Sequence, residues 1–239
     1  MTSRDYLFLP PVPADETVRY GPDALHFGEM RSPAGAGPHP LLLVIHGGFW
    51  RNTLDLVHVG RLCAALAGKG VATCGIEYRR MGDEGGGWPG TYYDVRRAAE
   101  FLRGRARRVA AAGFSAGGHL ALRLAADCDW LAGVVGLAPV ADLARAWELR
   151  LGDGVVGDFL GGRLEELQAA SPLAHRPRVP VAIVHGTADD VAPVELSRGY
   201  AAVWPCALRE VEGANHFDMV NPESPAWPAV REAVLAMFG

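Results

Sequence analysis

From Leu41 onward the chain alternates short apolar runs with longer amphipathic stretches, and this alternation restricts the possible folds more than any other feature. Leu41–Ile45 is five consecutive aliphatic residues followed by His-Gly-Gly, the pattern of a strand buried on both faces. Residues 71–78, 108–112, 131–137 and 179–184, and then Ala207–Val211, repeat the strand pattern. Residues 56–67, 92–103, 116–126, 193–203 and 227–238, lying between and after these strands, carry helical spacing. Strands separated by helices predict βαβ units, hence an α/β fold with a mostly parallel central sheet and helices on both faces. Two further strand-like pieces, around 17–20 and 24–30, sit in a Pro- and Gly-rich opening segment. Residues 139–178 break the rhythm with five glycines around two short helical patches, and we expect them to form a small lid-like insertion. At 239 residues the whole is expected to be one domain, since single cores stop growing near about 250 residues.

Several function classes are disfavoured at once. Lys+Arg 23 against Asp+Glu 27 leaves a formal charge of −4, without the basic excess that a phosphate backbone demands. The run Arg103-Gly-Arg-Ala-Arg-Arg108 is expected to be a solvated helix C-terminus, where cations suit the dipole. Cys63, Cys74, Cys128 and Cys206 are far apart and form no CxxC pair, so neither a zinc site nor a disulfide scaffold is expected. The opening Leu7-Phe8-Leu9 runs straight into prolines and offers no signal-peptide core, and no apolar run approaches the roughly 18 residues of a membrane span. The expectation is a cytoplasmic protein with no nucleic-acid or membrane partner.

Gly113-Phe-Ser-Ala-Gly117 lies between a strand and a helix, and that context gives the pattern its meaning. A sharp strand-to-helix turn strains its central residue and leaves no room for side chains two positions before or after it. Gly113 and Gly117 satisfy that demand, and Ser115 is thrust out at the carboxyl edge of the sheet. A serine hydroxyl is a poor nucleophile until a base, itself oriented by an acid, takes its proton. The strand at 179–184 runs into His185-Gly-Thr-Ala-Asp-Asp190, and the one at Ala207–Val211 leads to His216. Asp189 is the nearer carboxylate to its strand end, and Asp190 is expected to cap the helix near Pro193. Of the eight histidines, His216 follows the last strand; His119 falls inside a helix and His185 at a strand end, both expected to be structural.

His46-Gly47-Gly48-Phe49-Trp50 follows the first buried strand. Consecutive glycines let the main chain approach a substrate closely, so the N–H groups of Gly48 and Phe49 can join that of Ala116 around a developing oxyanion. His46 is expected to hold this loop in shape. Trp50, Trp88, Trp147 and Phe217 are candidates for the substrate pocket.

Taken together, these segments resemble the α/β-hydrolase superfamily from Leu41 to the end of the chain. Within it, His46-Gly-Gly-Phe-Trp50 and Gly113-Phe-Ser-Ala-Gly-Gly-His-Leu120 resemble the kynurenine formamidase (arylformamidase) and small carboxylesterase group. His185-Gly-Thr-Ala-Asp-Asp190 is also similar to the acid loop of prolyl-oligopeptidase-type peptidases. The resemblance implies Ser115 as nucleophile, Asp189 as acid and His216 as base, with Gly48, Phe49 and Ala116 as the oxyanion hole. It implies a serine hydrolase of small ester or amide substrates, a carboxylesterase first and an arylformamidase or small peptidase second, needing no metal or cofactor. A non-catalytic scaffold is the contrary expectation, and its mark would be a missing member of the Ser-His-Asp set. Phe49 stands where hormone-sensitive-lipase-type esterases carry a third glycine, and no β-propeller precedes the domain.

Overall fold

The structure, a computed structural model, describes residues 3–35 and 37–239. Eight strands form one sheet: β1 (Glu16–Arg19), β2 (Phe27–Arg31), β3 (Leu41–Ile45), β4 (Ala72–Ile76), β5 (Val109–Phe114), β6 (Val134–Leu137), β7 (Val181–Gly186) and β8 (Ala207–Val211). Their order is β1-β2-β4-β3-β5-β6-β7-β8. β2 runs antiparallel to both neighbours, and every pairing from β4 to β8 is parallel. The α-helices among the described residues are α1 (Gly60–Ala67), α2 (Gly90–Arg103), α3 (Ala116–Asp127), α4 (Leu143–Glu148), α5 (Leu151–Phe159), α6 (Leu167–Ala170), α7 (Glu195–Val203) and α8 (Trp227–Ala236).

Alternation along the strands divides the interior into two cores. Leu42 and Val44 of β3, Ala110 and Ala112 of β5 and Val184 of β7 face Leu62 and Leu66 of α1 and Val230 and Val234 of α8. Leu41, Leu43, Ile45, Ala111 and Ile183 point the other way, toward Val95 and Leu102 of α2, Leu120 and Leu124 of α3, and Tyr200 of α7. A strand buried on both sides has no polar face, which is why Leu41–Ile45 is continuously aliphatic.

Element ends differ from the sequence expectation in ways that bear on function. β5 runs two residues further, to Phe114, because Gly113 and Phe114 pair with Gly136 and Leu137 of β6. The helix expected at 56–67 begins as a 3₁₀ turn, Leu56–Val59, because the Asp55 side chain accepts the Val57 N–H at 3.0 Å and tightens the entry.

The 139–178 insertion contributes α4, α5 and α6, and α5 is kinked where Gly152, Asp153 and Gly154 take φ of 54°, 62° and 87°. Leu143, Ala146, Val155, Val156, Phe159 and Leu160 of this segment are fully buried and extend the core. Phe159 stacks on Trp50 with ring centroids 4.4 Å apart, and Arg51 Nη2 donates to Gly152 O at 3.3 Å. The insertion is therefore packed onto the loop that follows β3.

Away from the site, the arginine run is engaged locally. Arg103 covers Trp130, Arg105 covers Phe101, and Arg108 donates to the carbonyls of Phe238 and Gly239. The four cysteines are free thiols, and burial pushes Cys63 up to about 11. Among the described residues no helix is long and apolar enough to cross a membrane, and no cluster of three or more His, Cys, Asp or Glu could hold a metal ion.

Candidate active site

Ser115 occupies the turn between β5 and α3 with φ 56° and ψ −118°, a conformation that L-residues adopt only under constraint. The constraint is steric. A Cβ on Gly113 would lie 2.0 Å from Gly117 O, and one on Gly117 would lie 2.2 Å from Ile45 O. β5, α3 and the end of β3 therefore meet closer than any other residue type permits. The Ser115 N–H donates to Leu137 O at 2.8 Å, which fixes the turn to β6. Ser115 is the residue immediately before α3, at the positive end of that helix's dipole.

Asp189 lies just past β7, with its carboxylate fully buried. Oδ1 accepts the Val191 N–H at 2.9 Å and the Ala192 N–H at 2.8 Å. Oδ2 is 2.7 Å from Nδ1 of His216 and 3.2 Å from Nε2 of His185. Burial alone would raise this acid. The donors from His185, His216 and Ala192 outweigh it and hold the carboxyl well below the usual carboxylate range. Asp190 is exposed, and α7 has no side-chain cap, so the expected cap by Asp190 is not formed; the main-chain N–H groups of that turn go to Asp189 instead.

His216 opens a 3₁₀ turn, His216–Met219, after β8. The Asn215 N–H donates to Asp218 Oδ2 at 2.8 Å, which ties down the corner that carries the ring. Its ring packs against Phe114 at 4.7 Å.

The loop after β3 is strained in the same region. Gly48 has φ 120°, and Phe49 and Trp50 have φ 53° and 57°. Among the described residues, the N–H groups of Gly48, Phe49 and Ala116 donate to no protein acceptor. His46 holds the loop from beneath: Nδ1 meets Gly47 O at 2.8 Å, and Nε2 meets Glu77 Oε1 at 3.0 Å.

Ser115, His216, Gly48 and Phe49 line one cavity of about 240 Å³. Leu7, Leu54, Phe114, Val191 and Phe217 complete its walls, so it is predominantly apolar. The cavity is below the about 300–1,000 Å³ typical of drug-sized ligands. A larger cleft, about 530 Å³, opens at the opposite ends of the strands around His39 and Arg105, remote from the serine.

Of the aromatic pocket candidates, only Phe217 lines this cavity. Trp50 is fully buried, with Nε1 donating to His119 Nδ1 at 3.2 Å and its face on Phe159. Phe49, which has a left-handed φ like Trp50, is the loop aromatic that reaches the cavity. Trp88 stacks on Tyr92 at 5.6 Å with Nε1 toward Glu166, and Trp147 lies half exposed on α4 against Gly157. His119 is packing, as expected: Nε2 lies 3.0 Å from Ala170 O, and burial pushes the ring down to about 3.

Sequence reasoning missed Glu77, which is buried and meets His46, the Leu56 and Tyr78 N–H groups, and Arg80. It also missed His185 on Asp189 and the Leu7 and Leu54 walls. The spacing of His185 and Asp189, four residues apart across a turn, was the available signal for the first of these.

A Ser, His and acid arranged around preset N–H donors can transfer an acyl group through a covalent intermediate. A family model described as BD-FAE matches residues 30–202. Among curated proteins, Esterase LipC of Mycobacterium tuberculosis (strain ATCC 25618 / H37Rv) is 25% identical over 243 residues, covering 85% of this chain and 60% of its own length. The chain thus spans about 60% of the length of that relative. Among solved structures, a thermophilic esterase from the Planctomycetes species Thermogutta terrifontis, with propionate bound, superposes with a TM-score of 0.76 at 24% identity, over 96% of this chain and 94% of that one. Esterase B from Lactobacillus rhamnosis gives a TM-score of 0.78 at 21% identity, over 99% and 89%. At these identities the structural likeness establishes the α/β-hydrolase fold.

Proposed function

The chain belongs to the BD-FAE family, and from that premise we propose that it is a serine hydrolase cleaving carboxylic esters of small molecules. One observation carries the reading: Ser115 and His216 line the same cavity, and the imidazole is bound through Nδ1 to the buried, ionised Asp189.

With Nδ1 bonded to Asp189, Nε2 is the ring nitrogen left to take the Ser115 proton as Oγ attacks the ester carbonyl. The carbonyl π electrons move onto oxygen, and the N–H groups of Gly48, Phe49 and Ala116 receive that charge. Removing one such donor costs about 10²–10³ in rate. Collapse breaks the C–O bond, and the leaving alkoxide takes the proton from Nε2. Water then repeats the sequence on the acyl-enzyme, releasing the acid and restoring Ser115. Asp189 keeps the imidazole in one tautomer and stabilises its cation.

The test combines turnover of p-nitrophenyl esters with labelling by a fluorophosphonate. Expected are ester hydrolysis, one covalent adduct at Ser115, and loss of both in Ser115→Ala. A folded protein that takes no label at Ser115 overturns the reading, and faster turnover of N-formylkynurenine than of any ester moves it to a formamidase.

A further inference from the structure

We propose that Leu7, carried by the N-terminal 3₁₀ turn Ser3–Phe8, sets the length of the apolar group that the Ser115 cavity accepts. The inference rests on the esterase reading above and deepens it to a substrate class: esters whose apolar arm is short enough to end against Leu7.

The wall is a built one. Leu7 lines the cavity together with Leu54 and Phe217, on the same side chains that enclose Ser115 and His216. Its neighbour Tyr6 is buried at 4% exposure, and its hydroxyl donates to Val220 O at 2.7 Å, across 214 residues. Tyr6 packs in the same core as Phe217, Met219 and Val220, the corner that carries His216. The turn is thereby hooked onto the segment that presents the imidazole, while Phe8 points outward at 85% exposure.

The placement also matters for what the family shares. The BD-FAE match begins at residue 30 and ends at residue 202. Leu7 and its anchor at Val220 both lie outside the matched residues. The wall formed by Leu7, Leu54, Val191 and Phe217 carries no polar side chain, so on that side the cavity discriminates by size.

The experiment compares kcat/KM of the full chain on two series, p-nitrophenyl esters from acetate to octanoate and alkyl acetates of increasing alcohol length. Leu7→Ala should raise the ratio of long to short substrates in one series by roughly tenfold, the value of about two more buried methylenes. Leu7→Trp should lower that ratio. Tyr6→Phe, which keeps the ring and removes the hook, should shift the ratio in the same direction as Leu7→Ala, and the exposed Phe8→Ala should not shift it. Active, folded Leu7 variants with the parent's ratios in both series overturn the inference and leave the esterase reading standing. A parent enzyme inert toward all esters overturns both.

Discussion

His185 and Asp189 approach to 3.2 Å, Nε2 to Oδ2, so one carboxylate oxygen faces two imidazoles, the other being His216 at 2.7 Å. The His185 ring is fully buried, with Nδ1 2.7 Å from Ser197 Oγ and Nε2 2.8 Å from Ala192 O. The hydroxyl of Ser197 can donate to Nδ1, which leaves the Nε2 proton between Ala192 O at 2.8 Å and Asp189 Oδ2 at 3.2 Å.

Replacing His185 by Asn removes a donor that helps keep Asp189 ionised. A carboxyl held below its ordinary range contributes stability above that range and loses it as pH falls. The loss of folding stability on acidification should therefore begin at a higher pH in His185→Asn. A merely looser packing would lower stability evenly at every pH, so urea midpoints measured across the acid range separate the two.

At Ser115, activity and stability should part company. Its φ of 56° with ψ −118° belongs to glycine, and such strain costs about 1–3 kcal/mol. Ser115→Gly should abolish turnover yet raise the unfolding free energy by about 1 kcal/mol, whereas Ser115→Ala should abolish turnover without that gain. Urea midpoints of the two variants, measured side by side, check this.

Gly113→Ala places a methyl 2.0 Å from a main-chain oxygen that neither strand nor helix can withdraw. We expect a loss of about 3 kcal/mol and a matching drop in soluble yield. An alanine variant with parental stability would show that the turn can open.

His58 is buried between His46 and Phe114, and neither ring nitrogen makes a full hydrogen bond, with only the Asp55 backbone favouring its charged form. Burial, helped by nearby His46, pushes it down to about 3. Unfolded histidine binds its proton near 6.5, so below that pH the unfolded chain holds more protons and folding loses up to about 1.4 kcal/mol per pH unit from this residue. His58→Leu should raise stability at pH 5 and flatten the slope of stability between pH 6.5 and 4. Guanidinium titrations across that window provide the measurement.

What could be read beforehand followed from backbone chemistry. β3 and β8 occupy the residues expected of them: β3 is a continuous aliphatic run buried on both faces, and β8 is a short run that ends just before the turn at Gly213. The positions of Ser115, Asp189 and His216 were legible because each lies shortly after the carboxyl end of a strand, β5, β7 and β8. The aromatic residues were not, since composition says nothing about which way a left-handed residue turns: Phe49 reaches the cavity while the adjacent Trp50 is sealed beneath it. Leu7 was hidden for a different reason. Its place depends on Tyr6 finding a carbonyl 214 residues away, and no local pattern encodes that contact.

The hook between Tyr6 and Val220 holds the Ser3–Phe8 turn beside the cavity, whereas Gly239 is held by Arg108 at the amino end of β5. An affinity tag or fluorescent partner fused behind Gly239 hangs clear of the reaction chamber. The same cargo fused ahead of the Ser3–Phe8 turn pulls directly on its wall, and would alter the substrate range of the very protein it was meant to report.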